Sequence, residues 1–406
     1  MPDRSQFDRW IFESFTVTPN GLGLYRIAFA LFTLLFLTPG SAEYARFSFL
    51  GTLPDVFFLP PPGLMQLAPG FPSEAAFVVL EALLVLSLTA VLFGYHTKTA
   101  SIATTVLFLV GFGFSYSLGK INHNILFVLL PAVMSFSNWG AAYSFDAQTQ
   151  RTSRRVDSWP IVLVLLLTGF AMFTAGFAKI LGGWLDPTTQ ATHGRLVRQF
   201  FVHGRRDLLA PFAMDLQSPF LWELFDVLTV CFEVGFLLAI LHPVTARLFA
   251  VGAIAFHTGI TLVLNIAFVP NYIVYAAVLP WSSFVQWLLP AARIVRPMLS
   301  VTPRIHPGVV LGTATGVLLA GSPLQWMNDT VSFTSDLVFS DVLALGLAWL
   351  FIGGALLVRD ERPSSRVPPC PSRRDISPQT GLPHKGLRDI PHKDLPQSSP
   401  DSQAYL

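Results

Sequence analysis

The chain has 406 residues, of which 52% are hydrophobic and 12% are charged, and its formal net charge at pH 7 is +2. Apolar runs of about twenty residues recur along it, and this is the length that a helix needs to cross a bilayer. The composition therefore indicates a polytopic membrane protein, and it excludes a nucleic-acid-binding surface, because the basic residues lack interleaved aromatic side chains.

Three regions are predicted in chain order. Residues 1–18 form a short cytoplasmic arm, since they carry both charge signs and lack the small-residue cleavage pattern of a removable signal peptide. Residues 19–358 form one all-α transmembrane domain, because bundled helices can build a single large domain. Residues 359–406 are rich in Pro, Ser and charges, so we expect a disordered cytoplasmic tail. The domain contains about ten predicted spans, which begin near Gly21, Ala75, Thr99, Asn122, Pro160, Pro219, Val244, Ala267, Pro307 and Leu337.

Lys and Arg residues in the loops predict the orientation, since positive flanks stay on the cytoplasmic side. Basic loops alternate with charge-poor loops, and an even number of spans places both termini in the cytoplasm. The loop at residues 185–218 departs from this alternation by carrying several arginines. We interpret it as a functional outer loop and expect residues 190–210 to form an amphipathic helix over the mouth of the bundle, with Phe200, Phe201 and Val202 turned inward.

Ionisable residues within the spans are costly in a bilayer, so they face the bundle interior and mark a site or a structural pair. Arg26 and Glu81 carry opposite charges in the first two spans, and a tie between helices or an arginine snorkelling to the headgroups is the favoured interpretation. Glu223, Asp226 and Glu233 recur at helical spacing in the sixth span, so one acidic face lines the bundle. Structural hydrogen bonding and a functional role for Glu233 both remain open.

Polar residues from three spans fall at one level in this topology. His123, next to Asn122, begins the fourth span, and Lys179 ends the fifth. His257, Thr261 and Asn265 stack along one face of the seventh span, four residues apart. These groups converge on a predicted cavity open to the outer half of the bilayer, although each residue alone also fits a structural role. There is no Cys/His spacing typical of a metal site, and Cys231 and Cys370 do not read as catalytic.

Five sequence motifs follow one another along the chain: "YRIAFALFTLLF", "VLFGYHTKTASIATTVLFLVGFGF", "NHNILFVLLPAVMSF", "AGFAKILGGW" and "FHTGITLVLNIAFVPNYIVYA". In this order they resemble the HTTM (horizontally transferred transmembrane domain) superfamily, which includes the vitamin K-dependent gamma-carboxylase. The resemblance covers roughly residues 15–290. It implies that Lys179 is the base acting on the hydroquinone, that His123 supports the oxygenated intermediate, and that His257 matches a histidine of an "FH" pair.

The resemblance also implies a cofactor, reduced vitamin K or menaquinol, used with oxygen and carbon dioxide, and a glutamyl peptide as a substrate. Desolvation neutralises an amine, and a hydroquinone in an apolar pocket needs an uncharged base. We expect Asn122, His257, Thr261, Asn265, Glu233 and Trp184 to line the cavity, and we expect no metal. Membrane lipid or quinone and a peptide are the expected partners.

Two departures from the carboxylase keep a second class open. The large extramembrane region that binds the carboxylase's substrate propeptide has no counterpart here, and Ala178 precedes Lys179 where the carboxylase has two adjacent lysines. The first hypothesis is a quinol-dependent, carboxylase-like enzyme, which would be a carbon–carbon lyase or an oxidoreductase. The second is a non-enzymatic protein that reuses the fold as a scaffold, a peptide-maturation accessory factor or a small transporter.

The predicted orientation can be tested by cysteine accessibility. In a background with Cys231→Ser and Cys370→Ser, a membrane-impermeant maleimide should label Arg195→Cys from outside and should leave Arg154→Cys unlabelled until the membrane is opened. The opposite pattern would mean that the orientation is inverted.

Overall fold

The protein is described here by a computed structural model, and all of the described residues belong to one compact unit. The described residues are 5–36, 47–119, 124–149, 151, 153, 155–266, 268–283, 307–320 and 353. Their secondary structure is helical and contains no strand, which confirms the predicted all-α class. The predicted tail at residues 359–406 and the predicted span near Leu337 lie outside these ranges.

The helices follow one another closely along the chain. They are α1 (Gln6–Glu13), α2 (Pro19–Phe36), α3 (Glu74–Phe93), α4 (Thr97–Ser115), α5 (Ile125–Ser135), α6 (Phe145–Gln148), α7 (Trp159–Leu181), α8 (Ala191–Phe201), α9 (Ala210–Met214), α10 (Pro219–Ala239), α11 (Pro243–Leu264), α12 (Val269–Tyr275) and α13 (Pro307–Ala320). Short 3₁₀ helices occupy Ser48–Thr52, Asp55–Phe57, Leu64–Leu67 and Ala276–Val278.

Four of the described helices, α3, α4, α7 and α11, are long and apolar enough to cross a bilayer, and they indicate a membrane protein. The predicted number of ten spans is not confirmed, although a helix begins within three residues of each predicted start from Gly21 to Pro307. Helix α5 has only 11 residues, and α12 is shorter still. Helix α10 has 21 residues but carries three acidic side chains, and charges of this kind disfavour contact with lipid.

Local sequence signals fix the helix ends. The Ser73 hydroxyl accepts a hydrogen bond from the Ala76 N–H at the start of α3, and Ser218 does the same for the Leu221 N–H at the start of α10. Helix α3 ends at Gly94, whose φ of 64° lies in the left-handed region. A Cβ atom there would overlap the Ser144 side chain, so this close approach requires glycine.

The inner part of the core is an aromatic cluster that joins several helices. Trp139 contacts both Tyr25 and Phe29, with ring centroids 6.2 and 5.7 Å apart, and its indole N–H donates to the Ser101 hydroxyl at 3.1 Å. The Tyr25 hydroxyl donates to the Ile273 carbonyl at 2.9 Å. Each buried polar atom in this cluster therefore has a partner, and the pairings join α2 to α4 and α12.

Arg26 forms the predicted tie between the first two long helices, but with main-chain carbonyls rather than with Glu81. Its guanidinium is fully buried and donates to the carbonyls of Val91 and Leu92 at the end of α3, and also to those of Trp139 and Tyr143. The Val91 carbonyl also accepts from the Gly94 N–H at 3.1 Å, and the last carbonyls of α3 lie at the negative end of its dipole, where a cation is favoured. Glu81 instead accepts a hydrogen bond from the Ser48 N–H at 2.7 Å.

Helices α7 and α10 approach each other closely along two glycines. A Cβ atom at Gly176 would lie 2.9 Å from the Glu233 Cβ and 3.1 Å from the Val234 main-chain nitrogen. A Cβ atom at Gly169 would lie 3.3 Å from two carbons of Ile240. These two glycines therefore allow the backbones of α7 and α10 to approach each other closely.

A Gly176→Ala substitution should lower the thermal unfolding midpoint, because the added methyl group forces the two helix backbones apart at a cost of about 1–3 kcal/mol. Gly259→Ala in α11 is the matched control, since a Cβ atom there meets nothing within 4 Å. Thermal unfolding in one detergent compares the two variants. Equal midpoints would show that the Gly176 contact does not limit the packing.

Candidate functional site

Lys179 lies in the last turn of α7 and forms an ion pair with Glu233 on α10. Its Nζ atom donates to Oε1 at 2.6 Å and to Oε2 at 2.5 Å. The lysine side chain is 23% exposed, whereas the Glu233 side chain is 6% exposed. The desolvation that we expected to neutralise this amine is therefore incomplete: the amine lies at the edge of the bundle with a buried carboxylate behind it. The close approach at Gly176 explains this geometry, because it brings the Glu233 backbone within reach of a residue one turn further along α7.

Trp184 completes the surroundings of the amine. The chain turns at Gly183, where φ is 78°, and the Trp184 N–H donates to the Lys179 carbonyl at 3.1 Å. This turn places the indole ring 5.3 Å from the Lys179 Nζ, which is within the range of a cation–π interaction. The structure thus brings together three residues that the sequence analysis proposed for one site: Lys179, Glu233 and Trp184.

His257 belongs to a second polar group deeper in the bundle. Its Nδ1 atom lies 3.0 Å from the Tyr275 hydroxyl, and its ring stacks on Phe268 with centroids 4.4 Å apart. Tyr275 is also close enough to Glu233 for the two groups to interact electrostatically. The Lys179–Glu233 pair and the His257–Tyr275 pair are therefore two polar groups, which together involve helices α7, α10, α11 and α12.

Thr261 and Asn265 are buried on the same face of α11 as His257, and their hydrogen bonds are to the main chain. The Thr261 hydroxyl donates to the carbonyls of His257 and Ile266 at 2.9 and 3.0 Å. Asn265 ends the helix with φ of 52°, and its amide exchanges two hydrogen bonds of 3.0 Å with the backbone of Asp207. These contacts fix the end of α11 and the outer loop that crosses it.

His123 and Asn122 lie outside the described residues, so the shared site of Lys179 and His123 stays a prediction. The next residue, Asn124, accepts a hydrogen bond from the Tyr116 hydroxyl at 2.9 Å.

The arginine-rich loop at residues 185–218 forms a helix, as predicted, but over a shorter range, Ala191–Phe201. Leu196 is its fully buried residue, whereas Phe201 and Val202 are 62% and 71% exposed. The expectation that Phe201 and Val202 turn toward the bundle is therefore wrong. The helical period explains the error, because Leu196 faces the bundle and residues five and six positions later point away from it.

Two carboxylates on α10 hold the start of this outer helix. Asp226 is fully buried and accepts hydrogen bonds from the N–H groups of Ala191 and Thr192 at 2.6 and 2.8 Å. Glu223 accepts one from the Gln190 N–H at 3.2 Å. Free N–H groups at a helix start attract an anion, so these two acids stabilise α8 on the bundle. Of the acidic row on α10, Glu223 and Asp226 therefore have a structural use, and Glu233 alone pairs with Lys179.

No protein-family model, curated protein or solved structure matches this chain. The resemblance to the HTTM superfamily therefore rests on the order of the sequence motifs, and the chemistry of the site rests on its geometry.

Sequence reasoning missed two participants in this region. Tyr275 lies 18 positions after His257, but α11 ends at Leu264 between them, so the two residues lie on separate helices and the period of one helix does not relate them. The role of Asp226 as a helix cap also has no local signal, because it stabilises a helix that begins 35 residues earlier. Two features hint at this role: Asp226 lies on an apolar helix, and α8 lacks a capping side chain of its own.

Asp226→Asn should loosen the start of α8, because an amide nitrogen would then face backbone N–H donors. Leaving one buried donor unpaired costs about 1–3 kcal/mol, so exchange of amides at residues 191–196 should quicken on the order of tenfold or more. Hydrogen–deuterium exchange with mass spectrometry measures this. Asp215→Asn, at an exposed position near the same loop, is the control and should leave the protection unchanged.

Proposed function

We propose that this protein is an integral membrane enzyme in which Lys179 acts as a general base on the weakly acidic hydroxyl of a membrane-soluble quinol. The observation that supports the proposal is the Lys179–Glu233 pair, with a partly exposed amine in front and a buried carboxylate behind. The reaction class is the quinol-dependent, carboxylase-like chemistry that the HTTM resemblance implies. In this proposal the pair lies in the outer half of the membrane, and both termini are cytoplasmic.

Glu233 makes the base chemistry feasible. A protonated lysine cannot accept a proton, so the amine must first lose one, and the nearest acceptor is the Glu233 carboxylate at 2.5–2.6 Å. Burial disfavours both charged forms, and therefore excluding water from the pair favours a neutral amine beside a neutral carboxylic acid. The amine can then take the proton of a bound hydroxyl.

The residues around the amine fit a quinol. The Trp184 indole offers an aromatic face, and Ile180 and Leu181 present exposed apolar side chains at the same end of α7. An isoprenoid tail would lie in the surrounding lipid. When bound, a reduced quinone supplies the acidic hydroxyl and the reducing equivalents that a reaction with oxygen and carbon dioxide requires. The chain's own part is to bind the ring, accept the proton and exclude water.

The alternative, a non-enzymatic membrane protein, is favoured by one feature of the same pair. Lys179 and Glu233 join α7 to α10 beside their closest approach, so the pair also ties two helices together. Replacing lysine by arginine separates the two functions, because a guanidinium keeps the ion pair but does not deprotonate.

Purified protein in nanodiscs should retain a quinone that mass spectrometry identifies, and it should consume oxygen when menaquinol is supplied. Lys179→Ala and Lys179→Arg should each lower that activity by a factor of about 10²–10⁴, the usual contribution of a positioned base. Glu233→Gln should also lower it, because the amine loses its proton acceptor.

Glu223→Gln is the matched control. It removes a carboxylate from the same helix but leaves the pair intact, so it should keep full activity. The enzyme proposal fails if Lys179→Arg is as active as the wild type. It also fails if the protein retains only ordinary phospholipid and shows no quinol-dependent oxygen uptake, and the tie between helices then remains as the role of the pair.

A further inference from the structure

A polar cavity lies at the opposite end of the bundle from Lys179. It is lined by the start of α4, including His96 and Lys98, and by the segment around α6, including Asn138, Asp146 and Arg151. Helix α7 begins near this segment at Trp159, so about 30 Å of helix separates this level from Lys179. The cavity volume is about 260 Å³, which is room for a phosphate group with several waters.

The negative charge in this cavity is already compensated. Asp146 accepts hydrogen bonds from the N–H groups of His96 and Thr97 at 3.0 and 2.7 Å and from the Thr97 hydroxyl at 2.7 Å. It caps α4 in the same way that Asp226 caps α8, and it interacts electrostatically with the buried Arg26 guanidinium. Asp146 thus already accepts hydrogen bonds from the start of α4 and interacts with Arg26, and among the described residues no ion pair joins it to Lys98 or Arg151.

Lys98 and Arg151 are held at the cavity without a carboxylate partner among the described residues. The Lys98 Nζ lies 5.3 Å from the centroid of the Phe136 ring, and the Arg151 guanidinium lies 5.4 Å from that of Phe145. The Arg151 Nη1 atom is 3.2 Å from the His96 Nε2 atom. A guanidinium only donates, so the His96 Nε2 atom is the acceptor in this contact. The cavity thus keeps two fixed positive charges.

We propose that this cavity binds a phosphate group, and that in the membrane this group is the headgroup of an anionic phospholipid such as phosphatidic acid. The planar fork of Arg151 and the ammonium of Lys98 both suit phosphate oxygens. The basic loops predict that this end of the bundle faces the cytoplasm, where basic pockets between spanning helices bind anionic headgroups. The arrangement needs neither the quinol proposal nor the Lys179 pair.

Native mass spectrometry of the full-length protein in neutral detergent tests the proposal by measuring retained phosphatidic acid against retained phosphatidylcholine. The wild type should prefer phosphatidic acid, and Lys98→Gln/Arg151→Gln should reduce that preference on the order of tenfold. The charge-keeping variant Lys98→Arg/Arg151→Lys should retain it, which separates loss of charge from loss of folding.

Arg195→Gln/Arg198→Gln is the matched control, because it removes two exposed charges from α8 and leaves the cavity unchanged. The proposal is overturned if this control loses the preference as fully as the cavity variant, or if the cavity variant behaves as the wild type does. Titration with inorganic phosphate distinguishes the source of the phosphate. If only other anionic lipids displace phosphatidic acid, the cavity is a headgroup site. If millimolar inorganic phosphate stabilises the wild type but not the cavity variant, and the wild type shows no lipid preference, the ligand is soluble phosphate.

Discussion

The rest of the structure depends on how an apolar bundle accommodates ionised side chains. A buried charge is tolerated only where hydrogen bonds or an opposite charge compensate its lost hydration, and each long helix carrying such a charge is positioned by its partner. Arg26 illustrates this most fully: it is wholly buried, and it binds the carbonyls at the end of α3 together with those of the segment before α6. A neutral side chain at this position would not form these charge-assisted hydrogen bonds.

Two buried aspartates, which carry negative charge, are compensated in the same way as the positive Arg26. Asp146 and Asp226 each come from a segment distant in sequence and accept the free N–H groups at the start of another helix. The first fixes α4 at one end of the bundle, and the second fixes α8 at the outer loop. Both ends of the protein thus hold their shape through carboxylates that replace the water lost from a helix terminus. The first cap also explains the positive charge of the cavity proposed to bind phosphate. Asp146 lines that cavity, but its carboxylate already accepts hydrogen bonds from the start of α4.

The Lys179–Glu233 pair differs from these contacts because it is only partly buried and joins two side chains. A pair of this kind can exchange its proton internally when its surroundings exclude water, whereas Arg26 contacts main-chain carbonyls and Asp226 contacts N–H and hydroxyl donors. The glycine at position 176 is what makes the pair geometrically possible, since any side chain there would separate α7 from α10. Structure and proposed chemistry therefore depend on the same close approach, which is why a purely structural role and a catalytic role have to be separated by the Lys179→Arg variant.

The sequence by itself determined the helical class, the membrane character and the starts of the helices, because apolar runs, prolines and capping serines act within a few residues. It also selected Lys179, Glu233 and Trp184, since charges are rare at membrane depth and stand out in an apolar run. Only the tertiary structure decided which charge pairs with which. In sequence, Glu81 was the obvious partner for Arg26, yet the carbonyls of α3 bind this arginine. Asp226 caps a helix that precedes it in the chain, and Tyr275 contacts His257 from the helix that follows α11. Such pairings depend on how the helices pack side by side, and the periodicity within one helix carries no information about its neighbour's position.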